Sequence, residues 1–166
     1  DHAEYGKTVS RTDGQYDLSL NGGGTLTLDY ERDGYLAAQR KVSTSWQSYQ
    51  PVPDVALVPL DTNLTTIALP AAGSMTIAEG SLTTDGQGAR KAILMIPQGT
   101  TAWMEFADGH TQALSSIGIR LTEYTRGPNG PIAMPAELPP TSDYTYAVDL
   151  SADEALTSGA ETVWAC

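Results

Sequence analysis

Two histidines and one cysteine are the side chains with which this sequence could perform nucleophilic or metal chemistry. His2 lies near the start, His110 follows Asp108 and Gly109 in a predicted turn, and Cys166 is the last residue. A Ser–His–Asp triad needs no neighbours in sequence, but no Gly-x-Ser-x-Gly elbow is present. A zinc tetrad needs more nitrogen and sulfur ligands than these residues supply. We therefore predict no catalytic residue, no metal ligand and no cofactor.

Carboxylates are more numerous and offer two further kinds of site. Calcium prefers oxygen ligands, and two acids held roughly 5–9 Å apart can hydrolyse glycosides. The calcium candidates are Asp13/Asp17, Asp29/Asp33 and Asp149/Asp153, and the glycosidase candidates are Glu105, Asp108, Glu123 and Glu137. None forms an EF-hand loop or a fold-specific motif. We interpret the aspartates as turn and cap residues and do not predict glycoside hydrolysis.

Aromatic side chains are the remaining lead for ligand binding. Trp46 and Tyr49 flank a proline-containing crossing, and Tyr144 and Tyr146 share one face of a predicted strand. Such aromatics can stack on sugars, but they more often fill cores or contacts between domains, and packing is our preferred interpretation. Asn63-Leu64-Thr65 is a glycosylation sequon, which we interpret as accidental in a bacterial chain.

The charge balance excludes a whole class of partner. The 166 residues carry 20 Asp and Glu against 9 Lys and Arg, a net charge of −11. Nucleic acids and anionic membranes are repelled by such a chain. A single cysteine excludes an internal disulfide, and we find neither a membrane span nor a signal peptide. We expect an extracellular or cell-surface location.

Short strands separated by turns account for most of the sequence. Residues 16–20 and 26–30 alternate apolar and polar side chains around Asn21-Gly22-Gly23-Gly24, which predicts a β-hairpin. Gly22-Gly23-Gly24 lacks the lysine and the following helix of a phosphate loop. Further strands are predicted at residues 35–42, 55–58, 61–69, 75–78, 81–84, 92–96 (buried), 102–106, 117–124 and 144–150.

Helical signals are confined to the end of the chain. Ser151 and Glu154 fit a capping box, and Gly159 is a stop signal, which predicts a two-turn helix over residues 152–158. Residues 126–143 hold five prolines and are predicted to form a long, stiff, exposed loop.

An ordered series of short motifs resembles a known module. In the first part these motifs are Glu4-Tyr5-Gly6, Thr12-Asp13-Gly14-Gln15-Tyr16-Asp17-Leu18, Asn21-Gly22-Gly23-Gly24, Leu26-Thr27-Leu28, Tyr30-Glu31-Arg32, Gly34-Tyr35-Leu36 and Ala38-Gln39-Arg40. They resemble the carboxypeptidase-regulatory-like (transthyretin-like) module that precedes the YD-repeat shell in teneurins and bacterial RHS proteins. The second part is similar to the plug-type β domain that follows it in the bacterial proteins. The similarity lies in residues 57–69 and especially in Pro97-Gln98-Gly99-Thr100-Thr101, Thr122-Glu123-Tyr124-Thr125, Gly127-Pro128-Asn129-Gly130-Pro131 and Ala133-Met134-Pro135.

The resemblance implies an all-β fold. Residues 1–60 would form a transthyretin/Ig-like β-sandwich lacking its first strands. Residues 61–166 would form a second β-rich, sandwich-like, plug-like unit with one short helix near its C-terminus, and both ends look cut. Some transthyretin-like surface domains cross-link a buried lysine to Asn or Asp; of Lys7, Lys41 and Lys91, only Lys41 lies in a predicted strand.

The function implied is structural. Modules of this kind brace the YD-repeat shell of a large secreted or cell-surface protein, so the chain would be a non-catalytic fragment of a bacterial one. Its partners would be other domains of the parent chain, or another copy, joined through exposed strand edges. The alternative is a carbohydrate- or surface-binding adhesin module that uses Trp46 or Tyr49. An enzyme fragment would require His110 or a carboxylate.

Overall fold

The computed structural model describes residues 6–21, 23–86, 88–124, 129–137 and 146–166. These ranges contain twelve strands and two short helices. The strands are β1 Gly24–Tyr30, β2 Ala38–Thr44, β3 Thr65–Ala68, β4 Met75–Glu79, β5 Thr83–Asp85, β6 Gly88–Arg90, β7 Ile93–Pro97, β8 Ala102–Glu105, β9 Thr111–Ala113, β10 Ser116–Glu123, β11 Val148–Ala152 and β12 Thr162–Ala165, and the helices are α1 Gly130–Ala133 and α2 Asp153–Ser158. The predicted all-β fold class is confirmed.

The strands form several small antiparallel sheets. Three sheets have two strands, β1–β2, β4–β7 and β5–β6, and two have three strands in the orders β11–β10–β3 and β12–β8–β9. Strand β10 is central because it pairs with β11 through Ile119–Glu123 and with β3 through Ser116–Ile119.

The first hairpin differs from the predicted one. Strand β1 pairs with β2, so that Leu26 lies opposite Val42 and Leu28 opposite Arg40. Residues 16–20 form no strand, and the predicted 16–20/26–30 hairpin is therefore wrong, while Gly22 of its turn lies outside the described residues. The preceding chain is attached instead by a hydrogen bond of 2.5 Å between the hydroxyls of Tyr16 and Tyr30. Burial raises the pKa of the Tyr30 phenol, and the bond to Tyr16 raises it further.

The main core lies around β10. Buried apolar residues from β3, β4, β7, β8, β10, β11 and the connection between β3 and β4 share it: Ile67, Ala71, Ala78, Ile96, Ala102, Ile117, Leu121 and Ala152. Both faces of β10 are covered, because Thr122 is fully buried beside Leu121. The chain approaches this strand closely at Gly80, where an added Cβ would lie 2.6 Å from the Leu121 carbonyl oxygen.

Three further predictions are corrected by the structure. Residues 55–58 are not a strand, and the only bridge nearby joins Tyr35 to Pro59 in the described part of the chain. Strand β7 is half-buried, not buried, because Ile93 and Met95 are exposed while Ile96 faces the core. Ser151 is not a helix cap: it lies in β11, and Ala152 occupies the N-cap position without a side-chain hydrogen bond.

The end of helix α2 agrees with its prediction. Gly159 adopts a left-handed conformation, φ 72°, and donates its amide to the Ala155 carbonyl, which is the usual helix stop. Strands β6, β9 and β12 and helix α1 were not predicted from the sequence. Helix α1 and the buried Ala133 and Met134 show that part of residues 126–143 is packed, not an exposed loop.

No helix in the described ranges is long and apolar enough to span a bilayer.

Candidate functional site

Arg40 is a buried cation on the inner face of β2. The strand alternates, with Ala38, Arg40 and Val42 buried and Gln39 and Lys41 exposed. Only 5% of Arg40 remains exposed. A guanidinium carries five N–H donors and stays charged at physiological pH. It is therefore stable in the interior only where hydrogen-bond acceptors surround it.

Backbone carbonyls at the end of α1 supply these acceptors. Arg40 Nη2 donates to the Ile132 oxygen at 2.9 Å, and Nη1 donates to the Met134 oxygen at 3.0 Å and to the Gln39 oxygen at 2.7 Å. The last carbonyls of a helix have no partner within the helix. The guanidinium satisfies two carbonyls at this end of α1 and thereby ties a distant segment to β2.

Backbone hydrogen bonds extend the same junction on either side. The Gln39 amide donates to the Pro135 carbonyl at 2.7 Å, and the Ala56 amide donates to the Ile132 carbonyl at 3.2 Å. We call these contacts of residues 36–40 and 56–58 with residues 132–135 the Arg40 seam. Because backbone groups on both sides take part, the seam fixes the path of both segments.

An apolar cluster lies along the seam. Its buried members are Leu36, Val58, Tyr124, Ala133 and Met134. The first two precede residue 60 and the other three follow it, so the cluster draws on both parts of the chain. Burying an aliphatic or aromatic side chain of this size stabilises a fold by roughly 1.5–3 kcal/mol.

A second buried network surrounds Asp61. Its carboxylate accepts hydrogen bonds from the Asn63 amide at 2.8 Å and from the Ser81 amide and hydroxyl at 2.7 and 2.6 Å. Its amide donates to Thr122 Oγ1 at 2.9 Å, and its carbonyl accepts from Arg120 at 2.6 Å. The network joins the chain before β3 to the central strand.

Two carboxylates of α2, those of Asp153 and Glu154, attach this helix to the central strand β10. Arg120 donates to both oxygens of Asp153, at 2.6 and 2.8 Å. The pKa of Asp153 is lowered by this guanidinium, and that of Arg120 is raised by the carboxylate. The Glu154 carboxylate accepts from the Gly118 amide at 3.1 and 2.9 Å. Glu154 therefore accepts a hydrogen bond from β10 and takes no part in the predicted capping box.

The Asp149 carboxylate lies in the same region but has an oxygen that accepts no hydrogen bond from the part of the chain that the structure describes. Among the described residues, Asp149 Oδ2 and Ser151 Oγ are buried atoms without a hydrogen-bond partner. Both lie on β11, opposite Thr122 and Arg120. Burial raises the pKa of the Asp149 carboxyl, and the Ser151 hydroxyl, which lies beside it outside hydrogen-bond geometry, offsets the shift in part.

Asp149→Asn is expected to stabilise the protein at pH 7. The folded-state pKa of Asp149 is raised, so ionising this group costs stability above that pKa, and the cost vanishes below the unfolded value of about 3.9. The gain from the substitution should therefore be present at neutral pH and disappear as the pH falls below about 4. Urea unfolding of both proteins between pH 3 and 8 measures it. Asp29→Asn, at an exposed carboxylate, is the control, and equal effects of the two substitutions would contradict the expectation.

His110 contacts Phe106 and Asp108 in the described structure. The His110 ring stacks on Phe106, with 4.1 Å between ring centroids, and its Nδ1 lies 2.5 Å from an Asp108 oxygen. The hydrogen bonds from His110 lower the pKa of the Asp108 carboxyl. Both side chains are exposed at a hairpin tip. His2 lies outside the described residues, and Cys166 is an exposed thiol.

The remaining acidic residues considered for glycoside hydrolysis or calcium binding do not share a site: each contacts a different partner or is exposed to solvent. Glu105 accepts from Trp164 Nε1 at 2.6 Å, and Glu123 accepts from Arg90 at 2.5 Å, whereas Glu137 is exposed. Asp13 accepts from the Gln15 amide at 3.0 Å in a turn, and Asp17 pairs with Arg11. In the ranges described, no group of three or more His, Cys, Asp or Glu could hold a metal ion.

The lysine and aromatic candidates are placed at the surface. Lys41 is exposed, which does not suit a buried cross-link. Trp46 is 71% exposed and Tyr49 fully exposed, so neither side chain fills the core of this chain. Packing against another domain stays a prediction for both. Tyr146 is also exposed, with the Arg90 guanidinium 5.0 Å from its ring centroid, while Tyr144 lies outside the described residues.

The residues of the seam were not singled out from the sequence. Arg40 appeared only within the motif Ala38-Gln39-Arg40. A signal was present, because an arginine between Ala38 and Val42 occupies an inward position of an alternating strand. Its acceptors, 92 and 94 residues further along, left no local signal.

The first third of this all-β chain is similar to a transthyretin-like family. Residues 1–57 match the family described as "Teneurin TTR-like domain", which confirms the transthyretin-like resemblance of the first part. Similar relatives are Teneurin-3 of Mus musculus, 42% identical over 48 residues, Teneurin-1 of Gallus gallus, 38% over 56 residues, and Teneurin-3 of Danio rerio, 38% over 48 residues.

The extent of these similarities is limited. They cover 29% to 34% of this chain and 2% of each relative. No solved structure matches the chain significantly. The plug-type resemblance of the second part stays a prediction, as do the boundaries at residues 60 and 61.

Proposed function

We propose that this chain is a non-catalytic structural and interaction module of a large, teneurin-like RHS/YD-repeat protein. The observation that carries the proposal is the Arg40 seam, which joins the transthyretin-like residues to the second part of the chain by buried contacts. The matched region is tied down through β2 and residues 56–58, not held on a mobile linker. Such a junction suits a bracing element whose mechanism is burial and hydrogen bonding.

The location and partners follow from the same proposal. A teneurin-like parent implies a secreted or cell-surface protein, and the resemblance of the second part to the plug-type domain of bacterial RHS proteins supports a bacterial parent. In a two-stranded sheet such as β1–β2 or β5–β6, each strand has one edge that is not paired within the sheet and can pair with a further strand. We propose that other domains of the parent chain, or another copy, bind at these edges.

Sequencing the gene on both sides of residues 1–166 tests the parent-protein assignment. We expect a β-rich segment upstream and many Tyr-Asp repeats downstream. The repeat region, expressed separately, should co-elute with the 166-residue chain in size-exclusion chromatography. A gene that begins near Asp1 and ends at Cys166 would contradict the proposal, and so would a repeat region that does not bind.

Carbohydrate or surface binding is the second candidate function. It is favoured by the exposure of Trp46 and Tyr49, which lie three residues apart in the loop after β2. Exposed aromatic rings can stack on the apolar faces of sugars. The Trp46 ring lies beside Gly23, where an added Cβ would be 3.2 Å from its Cδ1. The loop therefore holds at least one ring against the backbone at the start of β1.

A glycan array with purified chain tests this second candidate. Binding that is lost in Trp46→Ala and Tyr49→Ala, and kept in Trp164→Ala, would support it, because Trp164 is similarly exposed on a different strand, β12. The absence of binding, or equal loss in all three variants, would exclude it.

A further inference from the structure

The ribbon formed by β4 and β7 has an exposed apolar face. Directly opposed residues of an antiparallel pair share one face. On the outer side these pairs are Met75 with Pro97, Ile77 with Met95, and Glu79 with Ile93. The inner side carries Ala78 and Ile96, which are buried in the main core. We call the set Met75, Ile77, Ile93, Met95 and Pro97 the outer face.

The outer face is large for a surface that stays in water. Met75, Ile77, Ile93 and Met95 are 51%, 52%, 56% and 63% exposed. Together they present roughly 400 Å² of apolar surface, which is in the range of the largest patches on soluble monomers, and those patches are often functional. The neighbouring Leu64 is 44% exposed and lines an open depression with Ile77.

The charges at the rim indicate which surface would cover this face. Lys91 Nζ and Glu79 Oε2 lie 2.6 Å apart at one end of the ribbon. This end of the ribbon therefore carries one cation and one anion, whose charges balance. An apolar surface with the same balanced pair would complement the outer face, and the outer face of a second copy is such a surface. An interface with two-fold symmetry uses the same patch on both subunits.

We propose that the outer face is the interface of a homodimer, in which the ribbons of two copies stack face to face. A two-fold axis parallel to the strands would set β4 of one copy over β7 of the other. Ile77 would then contact Met95 of the second copy, and Glu79 would approach its Lys91. Stacked sheets with nearly aligned strands lie about 10 Å apart, a spacing that apolar side chains of this size fill.

The area is sufficient for such a dimer. Two outer faces supply about 800 Å² of apolar surface, and a standard interface buries about 1,600 Å² in total, slightly more than half of it apolar. The inference goes beyond the proposed function, because it concerns stacking of sheet faces in the chain itself and not pairing with a parent protein through strand edges.

Sedimentation velocity of the 166-residue chain over a range of concentrations tests the dimer. Wild type should pass from monomer to dimer as concentration rises. Ile77→Lys and Met95→Lys should each raise the dimer dissociation constant about a hundredfold or more, because each buries an unpaired charge. Leu156→Lys is the matched control: Leu156 is 55% exposed on α2, away from the ribbon, and its replacement should leave the dissociation constant unchanged.

Hydrogen exchange supplies a second measurement. Dimer formation should slow exchange in residues 75–79 and 93–97 of wild type, and it should leave β1 and β2 unchanged. A chain that stays monomeric at every concentration would overturn the proposal. A dimer that tolerates Ile77→Lys and Met95→Lys, or one that Leu156→Lys disrupts equally, would overturn it as well. Circular dichroism confirms that each variant is folded, and none of these outcomes bears on the YD-repeat assignment.

Discussion

Arg40→Met is expected to lower the free energy of unfolding by about 3 kcal/mol. The substitution keeps most of the apolar volume of the side chain but removes the donors that reach the carbonyls of Ile132 and Met134 at 2.9 and 3.0 Å. Both carbonyls would be left without this partner at the end of α1, and the segment that carries the buried Ala133 and Met134 would lose its polar attachment. Equilibrium unfolding in urea measures the change.

Lys41→Met is the matched control for this experiment. Lys41 is the next residue of the same strand and faces solvent, so its removal should change the free energy of unfolding by less than about 0.5 kcal/mol. If Arg40→Met and Lys41→Met have the same small effect, the guanidinium contributes nothing to the seam.

Gly80→Ala is expected to destabilise the protein by about 2–3 kcal/mol through steric overlap. The added methyl group would lie 2.6 Å from the Leu121 carbonyl oxygen and 3.2 Å from Leu121 Cβ. Leu121 is in β10 and pairs with Leu150 of β11, so its backbone cannot move without disturbing this ladder. The loss should appear as a lower melting temperature in calorimetry.

The control for Gly80 is Gly86→Ala in the β5–β6 turn. An added Cβ at Gly86 meets nothing within 4 Å, and the smaller freedom of alanine in the unfolded chain should make this change neutral or slightly stabilising. A Gly80→Ala protein as stable as Gly86→Ala would show that β4 and β10 are not held as closely as described.

The local alternation of apolar and polar residues predicted the positions of strands better than it predicted which strands pair. The alternation of residues 26–30 predicted β1, but residues 16–20 alternate in the same way and form no strand. What selects β2 as the partner is the inner row of Ala38, Arg40 and Val42, and the surroundings that bury this row are distant in sequence. Pairing is a tertiary property that a five-residue pattern does not contain.

Tertiary structure likewise overrode two other sequence predictions, the burial of β7 and the helix cap at Ser151. The apolar run of β7 resembles a strand buried on both faces, and no periodicity distinguishes it from a ribbon with one exposed face. Ser151 has the spacing of a capping box, but β11 continues to Ala152, which pairs with Ile119. Glu154 therefore bonds to Gly118 on β10. The Arg40 seam escaped prediction because its acceptors are backbone carbonyls, which every residue possesses.

Native-state hydrogen exchange is the most direct test of the claim that the seam joins the two parts of the chain into one structural unit. If it does, the slowest amides of β1 and β2 and those of β10 should exchange with the same opening free energy, since they are exposed by the same unfolding event. In Arg40→Met the β1 and β2 amides should exchange faster than those of β10. Wild-type β1 and β2 amides that open independently, at a much lower free energy than β10, would contradict the account.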